Sequence, residues 1–195
     1  MIFKKAWILF LALVLLLPLS ACSQPLAEEI TFDPEDFALN EAGKTSASAA
    51  GHQLLDLFDS YFTDADYGDA YFDENGRGLH INIVKGSSQR ENIARFIALA
   101  NAELEKNGFP LIQTHEVDFS KKELEEEKNK LEQTLQEQDI PYHLLAVDTQ
   151  QNRITVGYSD ISASYRNKVL RHIDKKYVVF EIWGEFSTSE KVIIE

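Results

Sequence analysis

The chain has 195 residues, a formal net charge of −13 at pH 7 and 44% hydrophobic residues. This acidity argues against nucleic acid or an anionic lipid surface held by bulk electrostatics, whereas cations and basic proteins remain compatible partners. The only cysteine is Cys22, which excludes internal disulfides, so the folded part must be stabilised by its own core.

The first 21 residues have the pattern of a secretory signal peptide. Lys4 and Lys5 precede an unbroken apolar run over residues 6–17, which ends at Pro18. As a helix this run would reach only about 18 Å, well short of the ~30 Å hydrocarbon core of a bilayer. A charged start, a short apolar core and small residues after it are typical of a cleaved signal rather than of a membrane span.

The signal ends in the sequence LSAC, residues 19–22, which resembles the lipobox of bacterial lipoproteins. The resemblance implies cleavage between Ala21 and Cys22 and attachment of diacylglycerol to the Cys22 thiol. Two or three acyl chains on one terminus suffice for stable anchoring. A plain signal peptide followed by an incidental cysteine is the alternative. We expect a protein anchored by lipid to the extracytoplasmic face of the cell membrane. Its charge would be −15, because the overall charge is −13 and the removed segment carries two lysines and no acid.

Residues 22–50 are predicted to be a flexible acidic tether, since they mix prolines, small residues and acids. The remaining residues, 51–195, are predicted to form an α+β domain. The domain begins with a short amphipathic helix whose apolar residues recur at spacings of three and four: Leu54, Leu55, Phe58, Tyr61 and Phe62.

The chain then repeats one pattern twice. In the first copy, two short β-prone strands flank Asn75-Gly76, a dipeptide suited to a tight turn. A helix follows, with Ser88 and Glu91 at the spacing of a capping box, and a strand over 111–119 completes the copy.

The second copy repeats this order after a charged helix over 120–138, which opens with the capping-box pair Ser120 and Glu123. A strand, a polar turn, an alternating strand, a helix and a strand are predicted over residues 142–147, 148–152, 154–158, 161–172 and 177–183. The predicted fold class is therefore α+β, with small antiparallel or mixed sheets. Two ββαβ units, 51–119 and 141–195, are joined by the charged helix.

The acidic stretch DADYGDAYFDENGRG, which begins at Asp64, has two interpretations. An EF-hand calcium loop needs glycine at its sixth position and glutamate at its twelfth, but a loop started here has Asp69 and Asn75 there. A looser calcium site using Asp64, Asp66 and Asp69 is one interpretation. The other is a strand hairpin whose aspartates bond locally. We favour the hairpin because the same organisation recurs around Asp148 without the acidic cluster.

No motif supports catalysis. The five histidines are far apart in sequence, and none pairs with another at a spacing of two or four. The sequence has no glycine-rich phosphate loop and no nucleophile elbow, and its one cysteine is assigned to lipid. We predict that the protein is not an enzyme and that it needs no cofactor, with calcium as the one candidate ion to test.

Part of the chain, residues 67–159, resembles the pro-region module of secreted bacterial chymotrypsin-like proteases of the alpha-lytic and streptogrisin kind. The residues that carry the likeness are Asp73, Gly76, the strand over 79–84, Phe119-Ser120, Glu123-Leu124 and the hairpin sequence LLAVDTQQNRITVGYS. The resemblance implies an intramolecular chaperone or inhibitor that docks on a protease through a small sheet. Because no protease domain is recognisable in the sequence, we expect any such role to act in trans.

The predicted function is that of a membrane-anchored extracytoplasmic module that binds another protein without catalysis. Strand addition at an exposed sheet edge needs no special side-chain motif, and the strand over 177–183 and the apolar tail over 192–194 are candidates for it. The alternative is a ligand-binding lipoprotein that takes a cation or a saccharide through the acidic loop 64–75 and nearby tyrosines. No nucleic acid partner is expected.

Overall fold

The computed structural model describes residues 27–39 and 46–183. The α-helices in these ranges are α1 (Ala47–Tyr61), α2 (Arg90–Lys106), α3 (Lys121–Glu137) and α4 (Ala163–Val169), and Pro34–Phe37 and Lys175–Tyr177 are short 3-10 helices. The strands are β1 (Tyr67–Phe72), β2 (Leu79–Val84), β3 (Gln113–Val117), β4 (Leu144–Asp148), β5 (Arg153–Tyr158) and β6 (Val178–Ile182). None of the described helices has the length and apolar character needed to cross a membrane. The predicted lipidation site at Cys22 and the tail over 192–194 lie outside the described residues.

Each unit is a hairpin followed by a helix and a parallel strand. In the first sheet, of order β1-β2-β3, β1 pairs antiparallel with β2 and β2 pairs parallel with β3. The second sheet, of order β4-β5-β6, repeats this arrangement. A parallel pair requires a crossover connection, and α2 and α4 provide it in the two units. The prediction of two ββαβ units joined by a charged helix, α3, is therefore confirmed.

The first core is rich in aromatic rings. Phe96 of α2 is fully buried at its centre, and its ring centroid lies within 6.3 Å of five others. The five rings belong to Phe32, Phe37, Phe58, Tyr61 and Phe62. Such edge-on and tilted contacts add about 0.5–1.5 kcal/mol per pair to the gain from burial.

The predicted tether over 22–50 needs correction in its described part, because residues 27–39 pack on the first unit. Phe32 and Phe37 are buried in the core. Asn92 of α2 holds the backbone nearby: its amide donates to the Glu28 carbonyl at 2.9 Å and accepts from the Ile30 N–H at 3.2 Å. Helix α1 also begins inside the range assigned to the tether. The prolines and acids of this segment are typical of a tether, and the five-residue spacing of its two phenylalanines matches neither a helix nor a strand. The sequence pattern therefore does not indicate that these phenylalanines are buried.

The second core is smaller and is closed largely by α3. Leu124, Leu131 and Leu135 are all buried, which confirms the narrow apolar stripe expected on this helix. They form one cluster with Val156 of β5 and Val169 of α4. Lysines and glutamates on the outer face of α3 form ion pairs three or four residues apart. This helix therefore belongs to the second core and is more than a connection.

One of the two predicted helix caps is correct. The Ser120 hydroxyl accepts a hydrogen bond from the Glu123 N–H at 3.1 Å and caps α3. The predicted box at Ser88 is wrong, because the residue at the N-cap of α2 is Gln89, which makes no side-chain cap bond. The Ser87 hydroxyl accepts from the Gln89 N–H at 3.2 Å instead. A serine one position earlier thus holds the turn that leads into α2.

The turn between β4 and β5 fastens the second unit to the first. The buried Asn152 amide accepts from the N–H groups of Asp118 and Phe119 at 3.2 and 2.9 Å, and it donates to the Phe119 carbonyl at 2.9 Å. Asn152 has a left-handed φ of 52°, a conformation that asparagine tolerates better than most residues. In the same turn, the Thr149 carbonyl accepts from the buried Asn82 amide at 2.7 Å. The bonds of Asn152 satisfy the backbone where the chain leaves β3, and the bond from Asn82 satisfies the Thr149 carbonyl.

Candidate functional site

The acidic stretch after α1 is held by internal contacts. Lys121, at the start of α3, places its Nζ 3.4 Å from Asp64 Oδ1 and 3.4 Å from Asp69 Oδ1. Burial lowers the pKa of Lys121, but attraction to the Asp69 and Asp64 carboxylates outweighs it, so the pKa is raised above its ordinary value. Asp69 also accepts a hydrogen bond from the Thr149 hydroxyl at 3.0 Å. Two of the three aspartates considered for calcium therefore pair with a lysine.

The third aspartate, Asp66, has a different partner. Its Oδ2 accepts from both the backbone N–H and the hydroxyl of Thr63, each at 2.8 Å. Within residues 27–39 and 46–183, no group of three or more His, Cys, Asp or Glu side chains is arranged to hold a metal ion. The structure thus does not gather Asp64, Asp66 and Asp69 into a ligand set, and the geometry gives the calcium hypothesis no support.

Asp73 organises the turn of the first hairpin. Phe72 lies opposite Leu79 in the antiparallel pair, and Gly76 has a φ of 65° between the strands. Asp73 Oδ1 accepts from the N–H groups of Asn75 and Arg77 at 3.0 and 2.9 Å. The Arg77 N–H contributes most to lowering the pKa of Asp73 below its ordinary value. The hairpin interpretation of the acidic stretch is therefore confirmed.

Three rings meet on one face of the first sheet. His80 Nδ1 lies 2.9 Å from His115 Nε2, so one imidazole donates an N–H···N hydrogen bond to the other. Their centroids are 5.2 Å apart and their planes differ by 10°. This centroid distance equals the N···N distance plus the radii of the two rings, so the rings lie edge to edge in nearly one plane. Tyr71 stacks on His80 at 4.7 Å and 7°. The parallel register places His115 opposite Asn82, on the same face as His80.

Strand β3 is an open edge of the first sheet. The side chains over 113–116 are all exposed. The Val117 carbonyl accepts from the Lys85 N–H at 2.9 Å, so the backbone of Val117 faces β2. Because this direction alternates along a strand, the backbone groups of Thr114 and Glu116 point to the outer side. Among the described strands, none pairs with that side.

A cleft of about 560 Å³ lies between the end of α3 and helix α4. One wall is the chain over 138–141, and the other carries Lys168 and Arg171. Tyr165 joins the walls, because its hydroxyl donates to the Pro141 carbonyl at 2.8 Å while its ring stacks on Tyr158 at 4.7 Å and 19°. The volume falls within the ~300–1,000 Å³ of small-molecule pockets.

The cleft combines both signs of charge. Lys168 and Arg171 are on one side, and Asp139 and Asp160 also line the space. Burial, followed by the neighbouring Tyr158, raises the pKa of Tyr165 to about 12, so its hydroxyl remains a hydrogen-bond donor at neutral pH. The arrangement can hold a ligand that carries an anionic group together with hydroxyls.

Comparisons with known proteins identify no relative. No family model matches the chain, and neither a curated protein nor a solved structure matches it. The resemblances to the lipobox and to the protease pro-region module therefore stay predictions from the sequence.

Sequence reasoning missed the histidine pair and the cleft. His80 and His115 are 35 positions apart and meet only through the register of β2 and β3. One feature of the sequence could have indicated the cleft: five cations lie within residues 166–176 of a strongly acidic chain. A search for local reversal of charge would have found it.

Proposed function

We propose that the protein is a lipid-anchored extracytoplasmic module that binds an extended segment of another protein by strand addition to β3, without catalysis. The observation that supports this proposal is the outward backbone of Thr114 and Glu116 on an exposed edge strand. Main-chain hydrogen bonds provide the affinity in strand addition, and side chains at alternate positions provide the selectivity.

The edge is held rigidly from behind and at both ends. Each residue of β3 lies opposite a residue of β2 in the parallel register, from Gln113 opposite His80 to Val117 opposite Val84. Before the strand, the Ile112 N–H donates to the Asn101 side chain at 2.7 Å, and after it Asn152 binds the backbone. A preorganised edge loses little conformational freedom when a strand binds, which favours affinity.

The second sheet offers a less accessible edge. The sequence favoured the strand over 177–183, and β6 within it is also at the end of its sheet. However, Val178, Phe180 and Glu181 of β6 are buried, whereas the residues over 113–116 of β3 are exposed. We therefore assign strand addition to β3 in place of β6.

The charge of the chain favours a basic partner. A net charge of −13, or −15 after loss of the signal, attracts cationic segments and raises their rate of encounter. With acyl chains on Cys22, the partner would be a protein at or outside the extracytoplasmic face of the membrane.

The test is position-specific photo-crosslinking in cells. A photoreactive amino acid at Thr114 is expected to give one reproducible adduct with an extracytoplasmic protein. A photoreactive residue at position 116 should crosslink to the same protein. Adding Thr114→Pro to that variant should abolish its adduct, because proline removes an outward N–H without breaking a bond to β2. Thr114→Val keeps the N–H and is the matched control.

An identical adduct from a photoreactive residue at Glu126, on the outer face of α3, would show nonspecific contact and contradict the proposal. Unchanged crosslinking in Thr114→Pro, with the thermal midpoint unchanged, would contradict it equally. The alternative of a ligand-binding lipoprotein is not favoured at the acidic loop, where the aspartates have internal partners, but the cleft beside α4 offers it another location.

A further inference from the structure

Over the described residues, the lysines and arginines that form ion pairs and those that form none lie in different parts of the chain. Of the ten lysines and arginines over 46–160, nine form ion pairs and only Arg77 does not. The five that follow make no ion pair with any described residue: Arg166, Lys168, Arg171, Lys175 and Lys176. Over 163–177 the only carboxylate is Asp174. A group of unpaired cations in an acidic chain is an electrostatic site for an anion.

The cleft concentrates part of this positive charge in a concave space. Lys168 and Arg171 line it, and His172 lies beside them. Lys168 and Arg171 are both solvent-exposed, so water partly screens them, but the concave shape of the cleft focuses their field on a bound anion. The guanidinium of Arg171 offers two parallel N–H donors that match phosphate oxygens, and Lys168 adds a point charge.

The remaining lining suits hydroxyl groups. Asp139 and Asp160 provide carboxylate oxygens, which accept hydrogen bonds from ligand hydroxyls, and Ser162 and Ser164 provide side-chain hydroxyls. A ligand with a phosphate at one end and hydroxyls at the other would use both kinds of group. A bare anion would leave the carboxylates facing it unfavourably.

The scaffold of the cleft does not depend on these charges. Tyr165 is buried, bonded to the Pro141 carbonyl and stacked on Tyr158, so it fixes the two walls together. Within the described part of the chain, the charged ends of Lys168 and Arg171 take no part in this scaffold. Their removal should therefore change binding and leave the fold intact.

We propose that this cleft binds a phosphorylated polyol or sugar, with the phosphate held by Lys168 and Arg171 and the hydroxyls held by Asp139 and Asp160. The proposal is independent of strand addition to β3, which uses the other unit. Each can fail without the other.

The test is calorimetric titration of the mature lipidated protein, residues 22–195, in neutral detergent micelles with glycerol 3-phosphate. We expect saturable binding at one site. The double variant Lys168→Gln with Arg171→Gln should lower the affinity about tenfold or more, because it removes charge-assisted hydrogen bonds. The matched control is Arg166→Gln with Lys175→Gln, which removes the same charge outside the cleft and should change the affinity less than about twofold.

Three results would overturn the proposal. The first is absence of saturable binding at millimolar glycerol 3-phosphate. The second is an equal loss in the control variant, which would indicate a diffuse charge effect. The third is equal or tighter binding of inorganic phosphate or of a sugar carboxylate, which would remove the polyol or the phosphate from the recognised chemistry.

The phosphate can belong to a soluble molecule or to a lipid headgroup, and reconstitution separates these sources. Glycerol 3-phosphate is titrated into the protein in phosphatidylcholine vesicles and in vesicles containing phosphatidylglycerol, at about 0.15 M salt so that surface charge is screened. Equal affinity is expected and assigns the site to a soluble ligand. If phosphatidylglycerol weakens the binding of glycerol 3-phosphate to the natural protein but has no such effect on the variant Lys168→Gln with Arg171→Gln, the site is assigned to the lipid headgroup.

Discussion

The two units share one order of strands and helices, but their crossover helices differ in length. Helix α2 has 17 residues, whereas α4 has 7. In the first unit, α1, α2 and the segment over 27–39 fill the space on the sheet with aromatic rings. In the second unit, the short α4 is supplemented by α3, and a cleft lies where the end of α3 meets α4.

This difference indicates how one topology yields a packed unit and an open one. A crossover must be long enough to return to the sheet, but any length beyond that only adds cover. The short helix in the second unit leaves concave space beside itself, and the cations of that region line it. In the first unit, aromatic rings fill the core beside α2, and the candidate surface is the edge of strand β3.

The largest expected effect would show whether the two units depend on each other. Phe96→Ala removes the ring at the centre of the first core and should lower the free energy of unfolding by about 3–5 kcal/mol. Urea unfolding is followed by circular dichroism for the whole protein and by Trp183 fluorescence for the second unit, since Trp183 is the only tryptophan after the signal. Coincident transitions are expected. A Trp183 transition unmoved by the substitution would mean that the second unit is stable alone.

The next effect tests the bonds that join the units. Asn152→Ala leaves buried backbone groups of Asp118 and Phe119 without partners and places alanine at positive φ, so we expect a loss of about 2–4 kcal/mol. Asn152→Gly keeps the conformation accessible and isolates the hydrogen bonds. Both variants should separate the fluorescence and circular dichroism transitions. A loss below about 0.5 kcal/mol in both would contradict a joining role.

A smaller effect concerns the wall of the cleft and has a defined pH dependence. Tyr165→Phe removes the bond to Pro141 and should cost about 0.5–1.5 kcal/mol at neutral pH. The folded pKa of Tyr165, about 12, exceeds the ordinary value of ~10, so its contribution is complete below pH 10 and is lost as the pH rises toward 12. Denaturant titrations at about pH 8 and pH 11 should show a smaller decline in the variant than in the natural protein. An equal decline would assign the alkaline loss to other tyrosines, such as Tyr177.

The smallest effect is expected at Asp118, whose carboxylate bridges the units between Lys85 at 2.8 Å and Arg153 at 3.0 Å. Bonds from Lys85 and then Arg153 lower the pKa of Asp118. A lowered folded pKa stabilises the protein above the unfolded value of ~3.9, and this stabilisation is lost as the pH falls below it. Asp118→Asn should cost about 0.2–1 kcal/mol at pH 7, because the pair is half-exposed, and almost nothing near pH 2. The reverse order of costs would contradict the assignment.

The sequence predicts the part of this structure that depends on local pattern. Alternating strands, turn dipeptides and the Ser120 cap are readable because each depends on residues close together in the chain. Phe32 and Phe37 could not be placed, because their role depends on Phe96, some sixty positions later. The contact between His80 and His115 depends on a strand register, which no spacing encodes. The helix predicted over 161–172 spans only Ala163–Val169, and the cleft beside it combines residues over 138–141 with residues over 158–172, which no local pattern joins.

The packing of residues 27–39 on the first unit also sets how far the domain can travel from its proposed anchor. A freely extended chain from Cys22 to residue 50 would reach about 100 Å at ~3.5 Å per residue. Because the Glu28 carbonyl is bonded to Asn92 on the folded unit, only six residues separate Cys22 from the first contact with that unit, and their maximum reach is about 20 Å. A lipidated protein of this kind stays within a thin layer directly above the bilayer. With the proposed anchor, a binding partner would have to enter that layer to meet the domain.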